Sequence, residues 1–333
     1  MGHRPEGQSG RGAGRQTGLH PARDVLHRPA HRVRRLNDGP SGRARLVVAT
    51  GKGGVGRSTV TAGIARAAAA EGLRVLAVDA INAGGLADAL GHPSPRPGRI
   101  VTGDDGVALL ELSTEASVDE YVRRTLWVPI APSQLRPLSR TLDYVAVAAP
   151  AVREILTIGK VCHEVRRGPW DLVVVDGPAT GHIVELLDAP RVLRRMVGYG
   201  PLDAEASWMA DLLADHDHTG VVVVATLDEL TVDETEELTA RLEADTELRV
   251  ERLIVNRVPR SLAEPALGEA DRLADGSGPL APLAAMVATR HRRATELDAR
   301  LARLDPDRIR IGEVVEPADP VDAAEESLAE VLG

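Results

Sequence analysis

The chain is poor in several residue types, and each shortage narrows the classes of protein it can belong to. Its 333 residues include no phenylalanine, and aromatic residues make up only 2%, so a core must be built from Val, Leu, Ile and Ala. The one cysteine, Cys162, cannot form an internal disulfide or supply the C-x-x-C pair of a zinc-bridged dimer. No apolar run approaches the ~20 residues of a membrane-spanning helix. We therefore expect a cytoplasmic protein without zinc and without membrane insertion.

Basic residues are unevenly distributed. Only two of the 40 basic residues are lysines, Lys52 and Lys160. Residues 1–43 contain nine arginines and three acidic residues, whereas the whole chain has a net charge of −9. Because this segment lacks hydrophobic periodicity, we expect a disordered basic extension, either passive or in contact with nucleic acid or an acidic surface. The acidic remainder argues against stable nucleic-acid binding.

The most informative stretch runs from Arg45 to Ala65. Apolar residues 46–49 lead into GKGGVGRST at positions 51–59, and an alanine-rich helical pattern follows. Strand, glycine-rich turn and helix form the context of a phosphate-binding loop, because backbone N–H groups and the helix N-terminus attract anions. The pattern G-x-x-x-x-G-K-[ST] fits except at Arg57, which replaces the lysine. The alternative, a turn that binds nothing, seldom supplies four glycines and two hydroxyls together.

This loop resembles the deviant P-loop, G-K-G-G-V-G-K-[ST]-[ST], of the ATPase family that includes ArsA, ParA and MinD proteins and the nitrogenase iron protein. The mark of that family is an extra lysine, here Lys52, which reaches across a dimer interface and serves catalysis. The resemblance implies ATP and Mg²⁺ as ligands, with Ser58 as a metal ligand. It assigns the nucleotide contacts to the following residues: Gly51, Lys52, Gly53, Gly54, Val55, Gly56, Arg57, Ser58 and Thr59.

Two predicted buried strands end in aspartates, Asp79 and Asp176. Carboxylates at the C-terminal ends of parallel strands face the ligand crevice of such folds. Asp79 begins a segment similar to one in ArsA-like ATPases, where this residue positions the attacking water; alternatively it caps the next turn. Asp176 matches a Walker B site that holds Mg²⁺, and the alternative is a helix cap.

The sequence DGPATGH, at positions 176–182, carries the most specific part of the resemblance. It is similar to D-[TA]-[AP]-[PA]-T-G-H, the second switch of ArsA-like ATPases. Its glycines would let the segment move with the γ-phosphate. The predicted switch residues are Gly177, Pro178, Thr180, Gly181 and His182. His182 either relays the switch position to a partner or is an ordinary turn residue.

Three further segments give local predictions. The sequence Asp188-Ala189-Pro190 predicts a turn, because proline disfavours helix just before it. Thr231 with Glu234 fits a capping box. Asn256 follows a predicted strand, 249–255, and the family resemblance implies that its amide binds the adenine edge, which requires a paired donor and acceptor. A role as a turn former is the alternative.

The sequence predicts an α/β fold: a doubly wound, mostly parallel sheet of the P-loop NTPase type with a helical subdomain. The resemblance implies one ArsA-like ATPase domain over residues 44–333, with helical insertions at about 115–168 and 186–216. Residues 107–112 are predicted to form a strand at the sheet edge.

The resemblance implies a dimeric, ATP-driven switch that pairs with itself or with a related subunit. Catalysis by P-loop enzymes consists of positioning and charge neutralisation. Because the planar fork of Arg57 does not reproduce the point charge of lysine, we expect weak or partner-dependent hydrolysis. Two alternatives stay open: a non-hydrolysing pseudo-ATPase that regulates an intact paralogue, and a ParA/MinD-like positioning ATPase.

Overall fold

The computed structural model describes residues 45–81, 84–112, 150–314 and 320–332, all within one compact unit that spans 35–333. The strands in these ranges are β1 Arg45–Gly51, β2 Val75–Asp79, β3 Ile100–Thr102, β4 Ala108–Glu111, β5 Leu172–Asp176, β6 Thr219–Ala225, β7 Val250–Val258 and β8 Ile309–Gly312. The helices are α1 Arg57–Ala70, α2 Gly85–Leu90, α3 Pro150–Arg167, α4 Thr180–Val197, α5 Pro201–Ala214, α6 Glu229–Asp245, α7 Glu264–Ala274, α8 Ala281–Leu304 and α9 Pro320–Leu332. The expected extension 1–43 and most of the first helical insertion lie outside the described residues.

The eight strands form a single sheet in the order β3-β4-β2-β5-β1-β6-β7-β8. Neighbouring strands are parallel, except that β3 runs antiparallel to β4. Strands β1, β2, β5 and β6 are buried along their whole length, as expected for parallel strands covered on both faces. The mostly parallel α/β fold class is confirmed.

Side chains alternate between two aliphatic cores, one on each face of the sheet. Leu46 and Val48 of β1 point into the first core, and Val47 points into the second. Helices α3, α4, α5, α6 and α8 contribute to the first core, whereas α1, α2 and α9 contribute to the second. Helices on both faces make the sheet doubly wound.

The predicted turn at Asp188-Ala189-Pro190 is wrong, because α4 continues through Pro190 to Val197. Proline removes one backbone hydrogen bond from a helix interior and crowds the preceding turn. Here the surrounding face is buried: Ile183 and Leu187 lie in the first core, and Pro190 itself is buried. Packing along the whole helix outweighs the local preference of one residue. The second predicted insertion, 186–216, therefore falls on α4 and α5, and α4 begins before it.

The predicted strand at residues 107–112 is confirmed as β4, but its predicted position at the sheet edge is wrong. Strand β4 pairs with β2 on one side and with the short β3 on the other. The three residues of β3 lie within a loop rich in proline and are mostly exposed, so they carry no alternating apolar pattern. Such a strand gives no periodic signal in the sequence.

Candidate functional site

The glycine-rich loop, residues 52–56, connects β1 to α1 at the carboxyl edge of the sheet. Gly56 is the N-cap of α1 in a left-handed conformation, and it makes no side-chain capping hydrogen bond. The helix N-terminus therefore offers backbone N–H groups in the arrangement that attracts anions. Ser58 and Thr59, the second and third residues of α1, are both partly buried beside the loop.

Close approaches require glycine at two positions of this loop. A Cβ on Gly51 (φ +152°) would lie 2.2 Å from the carbonyl oxygen of Val224 in β6. A Cβ on Gly56 (φ +89°) would lie 2.4 Å from Nδ2 of Asn256. By contrast, a Cβ on Gly53 or Gly54 would meet no atom of the described residues within 4 Å. The loop thus packs tightly against β6 and β7 on one side and is open on the other.

Asn256 lies inside β7 rather than after it, and its amide supports the loop. Its Nδ2 donates to the carbonyl oxygen of Val55 at 2.9 Å, and its Oδ1 accepts the backbone N–H of Arg257. Nη1 of Arg257 donates to the carbonyl oxygen of Gly54 at 3.1 Å. The buried amide is therefore engaged with the loop backbone. Its expected contact with adenine stays a prediction.

Ser58 and Asp176 meet where β5 ends beside β1. The Ser58 hydroxyl donates to Oδ2 of Asp176 at 2.5 Å, while Oδ1 of this carboxylate is buried and has no hydrogen-bond partner among the described residues. Burial raises the pKa of Asp176 to about 6; the Ser58 hydrogen bond and the charge of Arg57 act in the opposite direction. A hydroxyl and a carboxylate with a spare buried oxygen are the hard oxygen donors that Mg²⁺ prefers. This pair therefore fits a magnesium ion.

Asp79 lies level with Asp176, at the end of the neighbouring strand β2. Its side chain is buried, and its oxygens accept the backbone N–H groups of Ile81 at 3.0 Å and Gly84 at 3.1 Å. These contacts correspond to the capping role that the sequence left open. The carboxylate also raises the pKa of Asp176. Its role in positioning water stays a prediction.

The predicted switch segment begins in contact with the loop. The N–H of Gly177 donates to the carbonyl oxygen of Ala49 at 2.9 Å, and its carbonyl oxygen accepts Nη1 of Arg57 at 2.5 Å. The Thr50 hydroxyl donates to the carbonyl oxygen of Pro178 at 2.8 Å. The backbone at the start of the switch is therefore held by residues of β1 and α1.

The remaining predicted switch residues lie in the first turn of α4. The Thr180 hydroxyl donates to Oε2 of Glu234 at 3.2 Å. Gly181 and His182 are exposed, and the backbone N–H of His182 donates to the carbonyl oxygen of Ala179. His182 is a helical residue and not the ordinary turn residue considered as its alternative, and relay to a partner stays a prediction.

Comparison with known proteins identifies the family. A profile of the Anion-transporting ATPase family matches residues 44–200. ATPase BagA from Mycobacterium tuberculosis is 33% identical over 244 residues, which cover 68% of this chain and 71% of that protein. The chain belongs to the ArsA-like family of ATPases. ATPase get3 from Schizosaccharomyces japonicus is 28% identical over 167 residues, 48% of this chain and 50% of that protein. The matching protein from Schizosaccharomyces pombe is 27% identical over 148 residues, 44% of each.

Membership of the ArsA-like family makes the chain a nucleotide-binding ATPase. Within the described ranges, no helix is long and apolar enough to cross a membrane. The same part of the chain contains no group of three or more His, Cys, Asp or Glu side chains able to hold a metal ion. The Ser58–Asp176 pair differs from such a cluster because bound phosphates and water complete the coordination of magnesium in nucleotide sites.

Lys52, which the resemblance assigns to a partner's site, pairs within its own chain. Its Nζ lies 3.1 Å from Oε1 of Glu234 on α6, the same carboxylate that accepts the Thr180 hydroxyl. The capping box predicted at Thr231 and Glu234 is wrong. The N-cap of α6 is Asp228, whose carboxylate accepts the N–H of Thr231, and Glu234 lies in the second turn, facing the loop.

Sequence reasoning missed Thr50 and Glu234 as contacts of the site. A hydroxyl in an otherwise apolar strand was the available signal for Thr50. Glu234 stands in the helix that follows β6, the strand beside β1, so sheet topology brings it near the loop. The sequence alone does not show that these two strands are neighbours.

Proposed function

We propose that this ArsA-like ATPase binds ATP with Mg²⁺ between the loop 51–59 and Asp176, and hydrolyses it as a dimeric switch. One observation carries the proposal. At the N-terminus of α1, the Ser58 hydroxyl lies 2.5 Å from a buried carboxylate, one oxygen of which has no hydrogen-bond partner within the described ranges. The helix end suits phosphate groups, and the oxygen pair suits their magnesium ion.

The position of each residue in the site indicates its proposed role. Backbone N–H groups of the loop would hold the phosphates, while Ser58 and Asp176 would hold the metal. When bound, Mg²⁺ neutralises charge on the β- and γ-phosphates. Asp79, level with Asp176 at the sheet edge, would orient the attacking water through a carboxylate that the N–H groups of Ile81 and Gly84 already fix.

The proposal includes a second ATPase subunit, identical or related, and a cytoplasmic location where ATP is available. Lys52 supports the dimer: it is one of two lysines in a chain otherwise rich in arginine, and in the family it reaches a partner's nucleotide. Its ion pair with Glu234 joins two partly exposed side chains. Such pairs are worth little, on the order of 0–1 kcal/mol, so Lys52 can exchange this partner for another.

A second candidate is a pseudo-ATPase subunit that binds ATP without hydrolysing it. The observation that favours it is the contact of Arg57 with the carbonyl oxygen of Gly177. A guanidinium held there lies off the point-charge position of a P-loop lysine, and misplacement by ~1 Å can cost roughly 100-fold in rate. Phosphate release by the purified chain, alone and with an intact paralogue, separates the two candidates.

Nucleotide binding is tested by titrating a fluorescent ATP analogue into the wild-type chain with and without Mg²⁺. We expect Ser58→Ala and Asp176→Asn to remove the Mg²⁺-dependent part of binding. Ser327→Ala, which removes a serine hydroxyl that donates within α9, should leave it intact. Wild-type protein that fails to bind the analogue would overturn the proposal.

The dimeric mechanism is tested by mixing two inactive variants. In a mixed dimer of Lys52→Ala and Ser58→Ala, the subunit with intact Ser58 receives Lys52 from its partner. One complete site then forms, so we expect mixing to restore phosphate release that neither variant shows alone. If Lys52 acts within its own chain, no mixture regains activity.

A further inference from the structure

Arg57 replaces the lysine of the P-loop pattern, and it contacts the switch segment rather than only the loop. It is the first residue of α1, partly buried, and its Nη1 donates to the carbonyl oxygen of Gly177 at 2.5 Å. Gly177 directly follows Asp176, so the contact reaches the point where the switch leaves β5.

Gly177 is closely packed, so a contact with its carbonyl group affects the path of the backbone. Its N–H donates to Ala49 of β1, and a Cβ at this position would lie 2.8 Å from that same carbonyl oxygen. The residue is therefore buried against β1 on one side and held by Arg57 on its carbonyl side. A side chain that controls this carbonyl controls the direction in which the switch backbone leaves the sheet.

The chemistry of arginine allows two simultaneous contacts. A guanidinium carries several N–H donors on separate nitrogens in a rigid planar fork, whereas the donors of lysine sit on one compact ammonium. The contact with Gly177 uses Nη1. Arg57 is the first residue of α1, so it stands at the helix end that faces the proposed phosphate site.

We propose that Arg57 is a positioning residue that couples phosphate binding to the switch: one nitrogen holds the carbonyl of Gly177 while the other donors contact the phosphates. This inference rests on the proposed function. Lysine would preserve the positive charge and the phosphate contact but would lose the second contact. Arg57→Lys should therefore separate binding from switch control.

The test is hydrogen exchange of the full chain, followed at the amides of Gly177 and His182, which donate to the carbonyl oxygens of Ala49 and Ala179. A matched control exists on the same helix, since Nη2 of Arg66 donates to the carbonyl oxygen of Leu90 at 3.1 Å, and Arg66→Lys makes the same change away from the site. Without nucleotide, Arg57→Lys should exchange about tenfold faster than wild type or Arg66→Lys, as expected for the loss of one charge-assisted hydrogen bond. Circular dichroism checks that all three proteins are folded.

The second arm adds a non-hydrolysable ATP analogue with Mg²⁺ and measures its affinity in parallel by fluorescence. In wild type and Arg66→Lys, binding of the analogue should slow the exchange of these amides. Arg57→Lys should also bind the analogue, but the factor by which binding slows exchange should be smaller by about tenfold or more. Unchanged exchange in folded Arg57→Lys would overturn the coupling role, as would a complete loss of analogue binding by this variant. If the wild type itself binds no analogue, the proposed function fails and this inference with it.

Discussion

Lys52 and Glu234 form an ion pair of 3.1 Å between the glycine-rich loop and helix α6. The pair links two parts of the site, because the other oxygen of Glu234 accepts the hydroxyl of Thr180 at the start of α4. One carboxylate thus joins the loop that would bind phosphate to the segment that would respond to it. Any transfer of Lys52 to a partner subunit must first break this pair.

The first prediction is that Glu234→Gln makes Lys52 more reactive towards an amine-acylating reagent. Neutral glutamine no longer stabilises the ammonium, while its carbonyl oxygen can still accept the Thr180 hydroxyl. We expect a roughly two- to fivefold rise in acylation rate, matching the small free energy of a partly exposed ion pair. Peptide mass spectrometry of the protein without nucleotide measures the rate.

The chain provides an internal control for this experiment. Its other lysine, Lys160, pairs with Glu164 at 2.9 Å, so Glu164→Gln should accelerate acylation of Lys160 and not of Lys52. Equal acceleration of both lysines by Glu234→Gln would mean that the variant loosens the protein generally.

The second prediction is that Asn256→Ala weakens the binding of ATP and GTP alike, by about tenfold, the usual effect of removing one buried hydrogen bond. The amide Nδ2 holds the carbonyl oxygen of Val55, so its loss disturbs the loop and not one base. Competition titrations with both nucleotides measure the effect.

Asn256→Asp tests the contribution of the Nδ2 donor alone. Aspartate keeps an oxygen that accepts the N–H of Arg257, but it cannot donate to the carbonyl oxygen of Val55. It should weaken both nucleotides as well. A loss confined to ATP would instead establish the adenine contact that the sequence resemblance implies.

The third prediction compares two glycines of the same loop. Gly56→Ala forces a side chain into a left-handed conformation with its Cβ 2.4 Å from Asn256, so we expect a loss of ~1–3 kcal/mol in the free energy of unfolding. Gly53→Ala meets no atom within 4 Å and should leave stability unchanged or slightly higher. Urea denaturation in the absence of nucleotide tests both, and similar losses would contradict the loop geometry.

The sequence was sufficient to predict the parts of the site that local pattern and sheet geometry determine. Apolar runs ending in Asp79 and Asp176 indicated parallel strands, whose carboxyl ends lie at one edge of the sheet. In the structure the two aspartates are directly opposite each other in the paired strands β2 and β5. The glycine pattern before Ser58 predicted a strand, loop and helix. These features depend on residues close together in the chain.

Contacts between distant segments were not predictable. The pairing of Lys52 with Glu234 and of Asn256 with Val55 requires β6 and β7 to follow β1 in the sheet, an order that one sequence does not reveal. At Pro190 a local rule predicted a turn, but the burial of a whole helical face keeps the helix continuous. The long-range contacts of the site and the path of α4 both depend on packing between segments that are distant in the sequence.

The last prediction concerns the pH dependence of stability, which follows from the buried carboxylate of Asp176. Its pKa in the folded protein is about 6, above the ordinary value of 3.8, so the folded chain binds this proton more tightly than the unfolded chain does. The cost of burying the ionised group is therefore fully present above pH 6, shrinks as the pH falls, and vanishes below the unfolded pKa. In EDTA, Asp176→Asn should exceed wild type in the free energy of unfolding by on the order of 3 kcal/mol at pH 8 and by much less at pH 4.5. Urea denaturation at both pH values, with the exposed Asp275→Asn as the charge control, measures this difference, and a gain that is equal at the two pH values would contradict it.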